Sequence, residues 1–98
     1  MEILLMSNGM KTNKYQIKYT RNAAADIAFF RERDRTIYRR IYSLIQDMEQ
    51  HPFTGIGKPE MLKYNLNGRW SRRITAEHRL VYEVTGNEIV IHQCRFHY

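Results

Sequence analysis

The fold is decided by the stretch from residue 69 to residue 94, which reads RWSRRITAEHRLVYEVTGNEIVIHQC. Apolar and polar residues alternate along it, and short turn sequences interrupt the alternation. The pattern predicts three strands: Arg69–Thr75, His78–Val84 and Glu88–Cys94. Ala76-Glu77 and Gly86-Asn87 lie between them and predict tight hairpins. We therefore expect three hairpin-linked strands in the C-terminal part of the chain.

Two helices are predicted before these strands. Thr20 can cap a first helix that runs through Ala23–Phe30, and Asp34 can cap a second. Apolar residues recur at helical spacing along the second helix: Ile37, Ile41, Leu44, Ile45 and Met48. The second helix should end at His51, because proline at position 52 disfavours helical geometry at the residue before it.

One more strand is predicted at Tyr15–Tyr19, where apolar and polar residues alternate. The order is then strand, helix, helix, a long loop at 52–68, and three strands. Helices grouped before hairpin-linked strands predict an α+β fold with both helices packed on one face of the sheet. On the strand after the first hairpin, Leu80 and Tyr82 should face the helices and Arg79 should face away.

The chain length and the cysteine content predict a small cytoplasmic protein. Its 98 residues suit one domain, assigned to residues 15–98, with residues 1–14 as a flexible N-terminal extension. Cys94 is a single cysteine, so no internal disulfide can form and nothing indicates an oxidising compartment. The short apolar start does not resemble a signal peptide, and no stretch is long enough to span a membrane.

The charge balance predicts a polyanionic partner. Lys and Arg number 16 against 10 acidic residues, which gives a net charge of +6, and eleven of the cations are arginines. The planar guanidinium offers a fork of donors that suits phosphate oxygens. Nucleic acid or an acidic protein segment would satisfy this charge. From charge alone, a merely soluble basic protein explains the excess equally well.

The positive charge is concentrated between residues 58 and 82. Six cations stand there against Glu60 and Glu77, and Tyr64 and Trp70 lie among them. Aromatic side chains near cations can stack on unpaired nucleobases. An ordinary solvated sheet face with buried aromatic residues would give the same pattern.

RNA cleavage without a metal needs a base for the 2′-hydroxyl proton, a cation for the phosphate and an acid for the leaving 5′-oxygen. Glu60 could be the base, Arg79 the cation and His97 the acid, since an imidazole changes charge near neutral pH. Tyr98 could hydrogen-bond a phosphate or stack on a base. Glu60 could instead pair with Lys58, and spacing alone does not prove that these residues converge.

Two other motifs are discounted. Gly55–Lys58 resembles part of a phosphate-binding loop, but the complete motif and its strand–loop–helix context are missing. His92, Cys94 and His97 lack a clear fourth ligand for zinc. No metal and no cofactor are therefore predicted.

Four blocks, in order, resemble the YoeB branch of the RelE superfamily of bacterial toxins. They are residues 52–60 (PFTGIGKPE), 65–75 (NLNGRWSRRIT), 78–82 (HRLVY) and the chain end 94–98 (CRFHY). The resemblance implies a RelE-like fold, a twisted antiparallel sheet with two helices on one side. It also implies the toxin of a type II toxin–antitoxin system, an endoribonuclease that cleaves mRNA in the ribosomal A site.

The resemblance assigns roles to matching positions. It implies that Glu60 is the base, Arg79 the phosphate-stabilising arginine and His97 the general acid, with Tyr98 supporting the scissile phosphate or its neighbouring base. Lys63 and Arg73 match family positions that contact RNA or the charged transition state. The neighbouring cations complete the predicted RNA-binding set: Lys58, Arg72 and Arg95.

The resemblance also implies partners. These are the ribosome with its mRNA, a second copy in a homodimer, and a YefM-like antitoxin whose acidic C-terminal segment wraps the toxin and disturbs the catalytic tail. No membrane partner is expected. The sequence departs from the family at Phe96, where tyrosine is common, and in residues 1–14.

Two other functions stay open at this point. One is a non-catalytic RNA- or ribosome-binding module of the same fold, which would block translation without cutting mRNA. The other is a RelE-fold toxin that acts on DNA gyrase, as ParE proteins do. ParE proteins resemble this chain in fold but lack the glutamate, arginine and histidine set.

Overall fold

The computed structural model describes residues 15–64 and 68–97, so the predicted extension at 1–14, residues 65–67 and Tyr98 lie outside the described part. Seven elements follow one another along the chain: β1 (Gln16–Tyr19), α1 (Arg21–Arg33), α2 (Arg35–Gln50), β2 (Glu60–Met61), β3 (Trp70–Arg73), β4 (Arg79–Thr85) and β5 (Glu88–Gln93). Their order confirms the predicted α+β class. Neither described helix has the length and apolar character needed to cross a membrane.

Both helix starts were predicted correctly. The Thr20 side chain accepts a hydrogen bond from the Ala23 N–H at 3.1 Å and so caps α1. The Asp34 carboxylate accepts from the Ile37 N–H at 3.2 Å and caps α2, while its own N–H donates to the Phe30 carbonyl. Asp34 therefore ends one helix and begins the next, because its side chain satisfies a free N–H of the new first turn.

The apolar face of α2 forms one side of the core. Ile41, Leu44, Ile45 and Met48 are buried, as their helical spacing predicted, and Ile37 packs against them partly buried. The sheet supplies the other side of the core: Leu80 and Tyr82 from β4, and Ile89 and Ile91 from β5. Val84 is partly buried against the same cluster. The core therefore lies between α2 and the face of the sheet that carries Leu80 and Tyr82.

The sheet has the strand order β1-β5-β4-β3-β2. The pairs β2/β3, β3/β4 and β4/β5 are antiparallel, as expected, but β1 runs parallel to β5. The sheet is therefore mixed rather than wholly antiparallel. A parallel pair needs a long crossover between its strands, and the helices with the remaining strands provide it.

The short strand β2 was not predicted. Glu60 pairs with Ser71, and Met61 pairs with Trp70, so the end of the long loop joins the sheet edge. Two residues are too few to show an alternating pattern, which explains the omission. This short pairing places Glu60 in register with the neighbouring strands.

Candidate active site

A buried arginine organises the loop between α2 and β2. The Arg72 side chain is fully buried, and its guanidinium donates to the Asp47 carboxylate at 2.7 Å. It also donates to the Tyr82 hydroxyl oxygen and to three loop carbonyls: those of His51, Thr54 and Ile56. The prediction that Arg72 binds RNA was therefore wrong, because its donors are directed inward at the loop and the side chain has no exposed surface.

The carboxylate of Asp47 completes this anchor. It accepts hydrogen bonds from Arg72 and from the Ile56 N–H, the latter at 3.1 Å. Burial favours the neutral acid and acts to raise the pKa of Asp47, but the hydrogen bonds from Arg72 and Ile56 outweigh it and lower that pKa. Asp47 is thus ionised in the folded protein at neutral pH.

Tyr82 connects the sheet to the start of the loop. Its hydroxyl donates to the Pro52 carbonyl at 2.7 Å and accepts from Arg72 Nε at 3.2 Å. Burial raises the pKa of the Tyr82 hydroxyl more than the nearby Arg72 lowers it. The hydroxyl therefore keeps its proton and remains a donor to the loop.

Gly57 brings the loop into close contact with α2 and β3. Its carbonyl accepts from the Arg73 N–H at 2.7 Å, and its φ is +82°, a conformation that favours glycine. A Cβ atom at this position would lie 2.7 Å from Leu44 Cδ2. The close approach holds the next residues, Lys58 and Glu60, at the edge of the sheet.

The sheet register brings several of the predicted residues to one face. Glu60 on β2 lies opposite Ser71 on β3, and Arg73 lies opposite Arg79 on β4. Ser71 and Arg73 are two residues apart, so they share a face. Together these residues line a cleft of about 350 Å³: Lys58, Pro59, Glu60, Ser71, Arg73 and Arg79. The cleft holds three cations and one carboxylate.

The pairing of Arg73 with Arg79 is unfavourable without an anion. Like charges directly opposite each other on neighbouring strands destabilise a sheet. Arg79 reduces its part of this repulsion by donating to the carbonyls of Thr75 at 2.7 Å and His78 at 3.1 Å. A phosphate in the cleft would compensate both guanidinium groups.

His97 lies beside Arg79. Its Nε2 is 3.2 Å from the Ala76 carbonyl oxygen, and the same oxygen accepts from Arg79 Nη1 at 3.3 Å. Two side chains that contact one oxygen atom are close neighbours. The turn between β3 and β4 therefore brings the predicted acid next to the predicted phosphate-binding arginine.

The chain end is held at several points. The Gln93 side chain donates to the Arg95 carbonyl at 2.9 Å and to the His97 carbonyl at 3.1 Å. The Arg95 guanidinium lies 3.5 Å from the centre of the Phe29 ring on α1. Arg95 was predicted to contact RNA, but in this structure it packs against a helix and fixes the tail.

Two further predicted site residues are Lys63 and Tyr98. Lys63 is exposed just beyond β2 and is not among the residues that line the cleft. Tyr98 lies outside the described residues. Sequence reasoning missed Ser71, which is buried at the floor of the cleft, and it missed the loop anchor Asp47. The alternation of Ser71 with Arg73 on β3 would have indicated the first, whereas no local signal marks the second.

Comparison with known proteins finds matches over most of the chain. The family of YoeB-like toxins of bacterial type II toxin–antitoxin systems matches residues 19–98. Toxin YoeB of Escherichia coli strain K12 is 53% identical over 73 residues, which cover 74% of this chain and 87% of that protein.

Solved structures show the same similarity. A YoeB/ParE toxin from Agrobacterium tumefaciens superposes with a TM-score of 0.83 at 44% identity, covering 85% of this chain and 99% of that chain. A YoeB dimer and a YoeB–YefM complex, both from Staphylococcus aureus, give TM-scores of 0.80 and 0.79 at 41% and 40% identity, each covering 87% of this chain and 99% of the other. The chain therefore belongs to the family of YoeB-like toxins of bacterial type II toxin–antitoxin systems.

Proposed function

We propose that this toxin is an endoribonuclease that cleaves mRNA in the A site of the ribosome and so inhibits translation. One observation carries the proposal: Glu60 and Arg79 line one basic cleft, and His97 shares the Ala76 carbonyl with Arg79. A base, a cation and an acid are the groups that metal-independent RNA cleavage needs.

The first step is attack by the 2′-hydroxyl of the RNA. Glu60 accepts the proton of this hydroxyl, and the O2′ atom forms a bond to the adjacent phosphorus. The negative charge that develops on the phosphate oxygens is compensated by Arg79, with Arg73 and Lys58 nearby in the cleft. Ser71, at the floor of the cleft, supplies a neutral hydrogen-bonding group to the same oxygens.

The second step is departure of the 5′-oxygen. As the bond between phosphorus and O5′ breaks, the His97 imidazolium donates a proton to O5′. The products are one fragment with a 2′,3′-cyclic phosphate and another with a 5′-hydroxyl. We propose that Tyr98 contacts the scissile phosphate or a neighbouring base, and that Lys63 binds RNA outside the cleft. The scheme uses only side chains and needs no cofactor.

The proposed partners follow from the family. A YoeB–YefM complex and a YoeB dimer are among the structures this chain resembles. We propose a YefM-like antitoxin, with an acidic segment that neutralises the basic cleft, and self-association into a homodimer. The proposed site of action is the cytoplasm, because mRNA bound to ribosomes is found there.

The proposal is tested with purified ribosomes programmed with a defined mRNA. The wild type is expected to produce a cut in the A site, and mapping of the new ends should find a 5′-hydroxyl. Arg79→Ala and His97→Ala should each slow single-turnover cleavage by about 10²- to 10³-fold, since each removes a group that acts in the transition state. Circular dichroism checks that both variants fold.

Two controls separate the mechanism from binding alone. An mRNA with a 2′-deoxy nucleotide at the cut site should resist cleavage, and addition of EDTA to the cleavage step should leave the rate unchanged. Cleavage of the deoxy mRNA at the normal rate would exclude the 2′-hydroxyl mechanism. Intact mRNA on ribosomes stalled by the wild type would identify a non-catalytic binding module instead.

A further inference from the structure

The residue before Arg79 contacts the chain end directly. His78 is buried just before β4, and its Nδ1 accepts a hydrogen bond from the Phe96 N–H at 2.8 Å. The Arg79 N–H donates to the Phe96 carbonyl at 3.0 Å. His78, just before β4, and Arg79, its first residue, thus hold both backbone polar groups of Phe96.

The surroundings of His78 keep its ring in one orientation. The ring packs edge-on against Phe30 of α1, with 5.1 Å between ring centres, and against Phe96, with 5.9 Å. The Glu77 carboxylate lies 3.7 Å from Nε2. Nδ1 accepts the Phe96 hydrogen bond through its lone pair, so Nε2 is the ring nitrogen that can donate toward the Glu77 carboxylate.

This contact matters because Phe96 has an unusual backbone conformation. Its φ is +65°, in the left-handed region that non-glycine residues rarely adopt, so it must be held by its neighbours. The turn at Phe96 directs the next residue back toward the β3–β4 turn, where His97 Nε2 reaches the Ala76 carbonyl. Loss of the hold on Phe96 would let the tail relax and move the imidazole away from Arg79.

We propose that His78 is a positioning residue for RNA cleavage: its Nδ1 holds the Phe96 N–H and thereby places the His97 imidazole beside Arg79. The inference rests on the proposed nuclease function. His78 itself is buried and is not among the residues that line the cleft, so it acts through His97 and does not touch the substrate.

Two substitutions of His78 separate the contribution of its hydrogen-bond acceptor, Nδ1, from that of its aromatic ring. His78→Phe keeps an aromatic ring against Phe30 but has no acceptor. His78→Asn loses the ring, but its Oδ1 is attached to Cγ, as Nδ1 is, and can accept from the Phe96 N–H. His92→Asn is the control, because it removes a half-buried histidine from the neighbouring strand β5.

The measurement is single-turnover cleavage of ribosome-bound mRNA. His78→Phe is expected to lower the maximal rate by about 10- to 100-fold, since a small displacement of a catalytic group has this effect, with the concentration for half-saturation unchanged. His78→Asn should recover most of the wild-type rate, and His92→Asn should match the wild type. Amide hydrogen exchange should show Phe96 protected in the wild type and His78→Asn, and unprotected in His78→Phe.

A double substitution tests whether His78 acts through His97. If it does, His78→Phe should slow the wild type but cause no further loss in a His97→Ala background, because the effects of coupled residues are not additive. Independent, additive losses would overturn the proposal, as would a His78→Phe protein that cleaves at the wild-type rate.

The remaining outcomes are also decisive. If His78→Phe does not fold, the folded His78→Asn protein decides: retained rate and Phe96 protection support the proposal, and loss of both overturns it. If the wild type leaves mRNA intact on ribosomes, the proposed function fails and the positioning role of His78 in cleavage fails with it. In that case the exchange data would still show whether His78 holds the tail, which keeps the two failures distinguishable.

Discussion

Arg72 is a buried charged residue that contacts the loop between α2 and β2. Its guanidinium joins Asp47 on α2 to three carbonyls of the segment that leads to Lys58 and Glu60. A buried ion pair contributes little net stability compared with an apolar pair, but removing one partner leaves the other uncompensated. Arg72 therefore matters for the shape of the site, although it does not face the substrate.

Replacement of Arg72 tests this role. Arg72→Met should lower the free energy of unfolding by about 3–5 kcal/mol, because the Asp47 carboxylate and the loop carbonyls lose their donor. Arg73→Met, at the exposed neighbouring position, should change it by less than about 0.5 kcal/mol. Urea denaturation measures both values, and equal stabilities of the two variants would contradict the anchoring role.

The lowered pKa of Asp47 predicts a dependence of stability on pH. A carboxyl group with a pKa lower in the folded protein than in the unfolded chain stabilises the fold above about pH 3.9, the usual value for aspartate. This stabilisation is lost as the pH falls through the lower folded pKa. Asp47→Asn should therefore unfold with a flatter dependence on pH below about 4 than the wild type.

Urea denaturation of the wild type and Asp47→Asn at a series of pH values provides the measurement. Asp34→Asn is a suitable control, because it also replaces a carboxylate by its amide and Asn can still cap α2. Parallel curves for the wild type and Asp47→Asn would show that Asp47 titrates alike in both states.

At the scale of elements, the loop from His51 to Pro59 behaves as a fixed part of the sheet edge. Tyr82 holds its start at Pro52, Arg72 holds its middle, and the Gly57 carbonyl accepts from β3 near its end. The loop has almost no regular structure of its own, so these contacts determine where Glu60 enters β2. A disturbance of the loop should therefore affect cleavage more than binding.

Gly57→Ala tests the effect of the loop position on cleavage by adding a single methyl group. The added Cβ would meet Leu44 and Arg72 in a backbone conformation that alanine rarely adopts, so the loop must shift. We expect slower cleavage, with a loss of at least about 10-fold, because misplacement of Glu60 affects proton transfer. Gly86→Ala is the control: Gly86 also has a positive φ, but nothing lies within 4 Å of its added Cβ. Equal activities of the two variants would contradict a fixed loop.

At the scale of the whole molecule, the net charge of +6 should govern association with RNA. Three of the cations meet in the cleft with a single carboxylate, and Lys63 is exposed just beyond it. RNA binding releases counterions, so the affinity falls as the salt concentration rises. For single strands, log affinity falls against log salt with a slope of about 0.7 per phosphate contact. The affinity for RNA should therefore fall steeply between low and physiological salt.

The salt dependence also tests Lys63. Lys63→Gln should reduce the slope of log affinity against log salt by about 0.7 if its ammonium group contacts a phosphate. Lys18→Gln is the matched control, because Lys18 lies on β1 and pairs with Glu88 at 3.2 Å. Titration of a short single-stranded RNA at several salt concentrations measures the slopes. An unchanged slope in Lys63→Gln would remove Lys63 from the RNA-binding set.

The features that could be predicted from the sequence are those with a local physical cause. Thr20 and Asp34 cap helices by bonding an N–H three residues away, and the apolar spacing of α2 describes its own buried face. The hairpins at the C-terminal end are likewise decided by neighbouring residues. The sequence by itself thus determined the two helices, the three C-terminal strands and the basic segment that contains the cleft residues.

The tertiary structure alone decided which cations face the cleft. Arg72 and Arg73 are adjacent arginines, yet one is buried against Asp47, 25 positions away, and the other lines the cleft. The parallel pairing of β1 with β5 and the hold of His78 on Phe96 also join residues far apart in the chain. Local patterns carry no information on such pairs, because burial and electrostatic compensation depend on which distant groups the fold brings together.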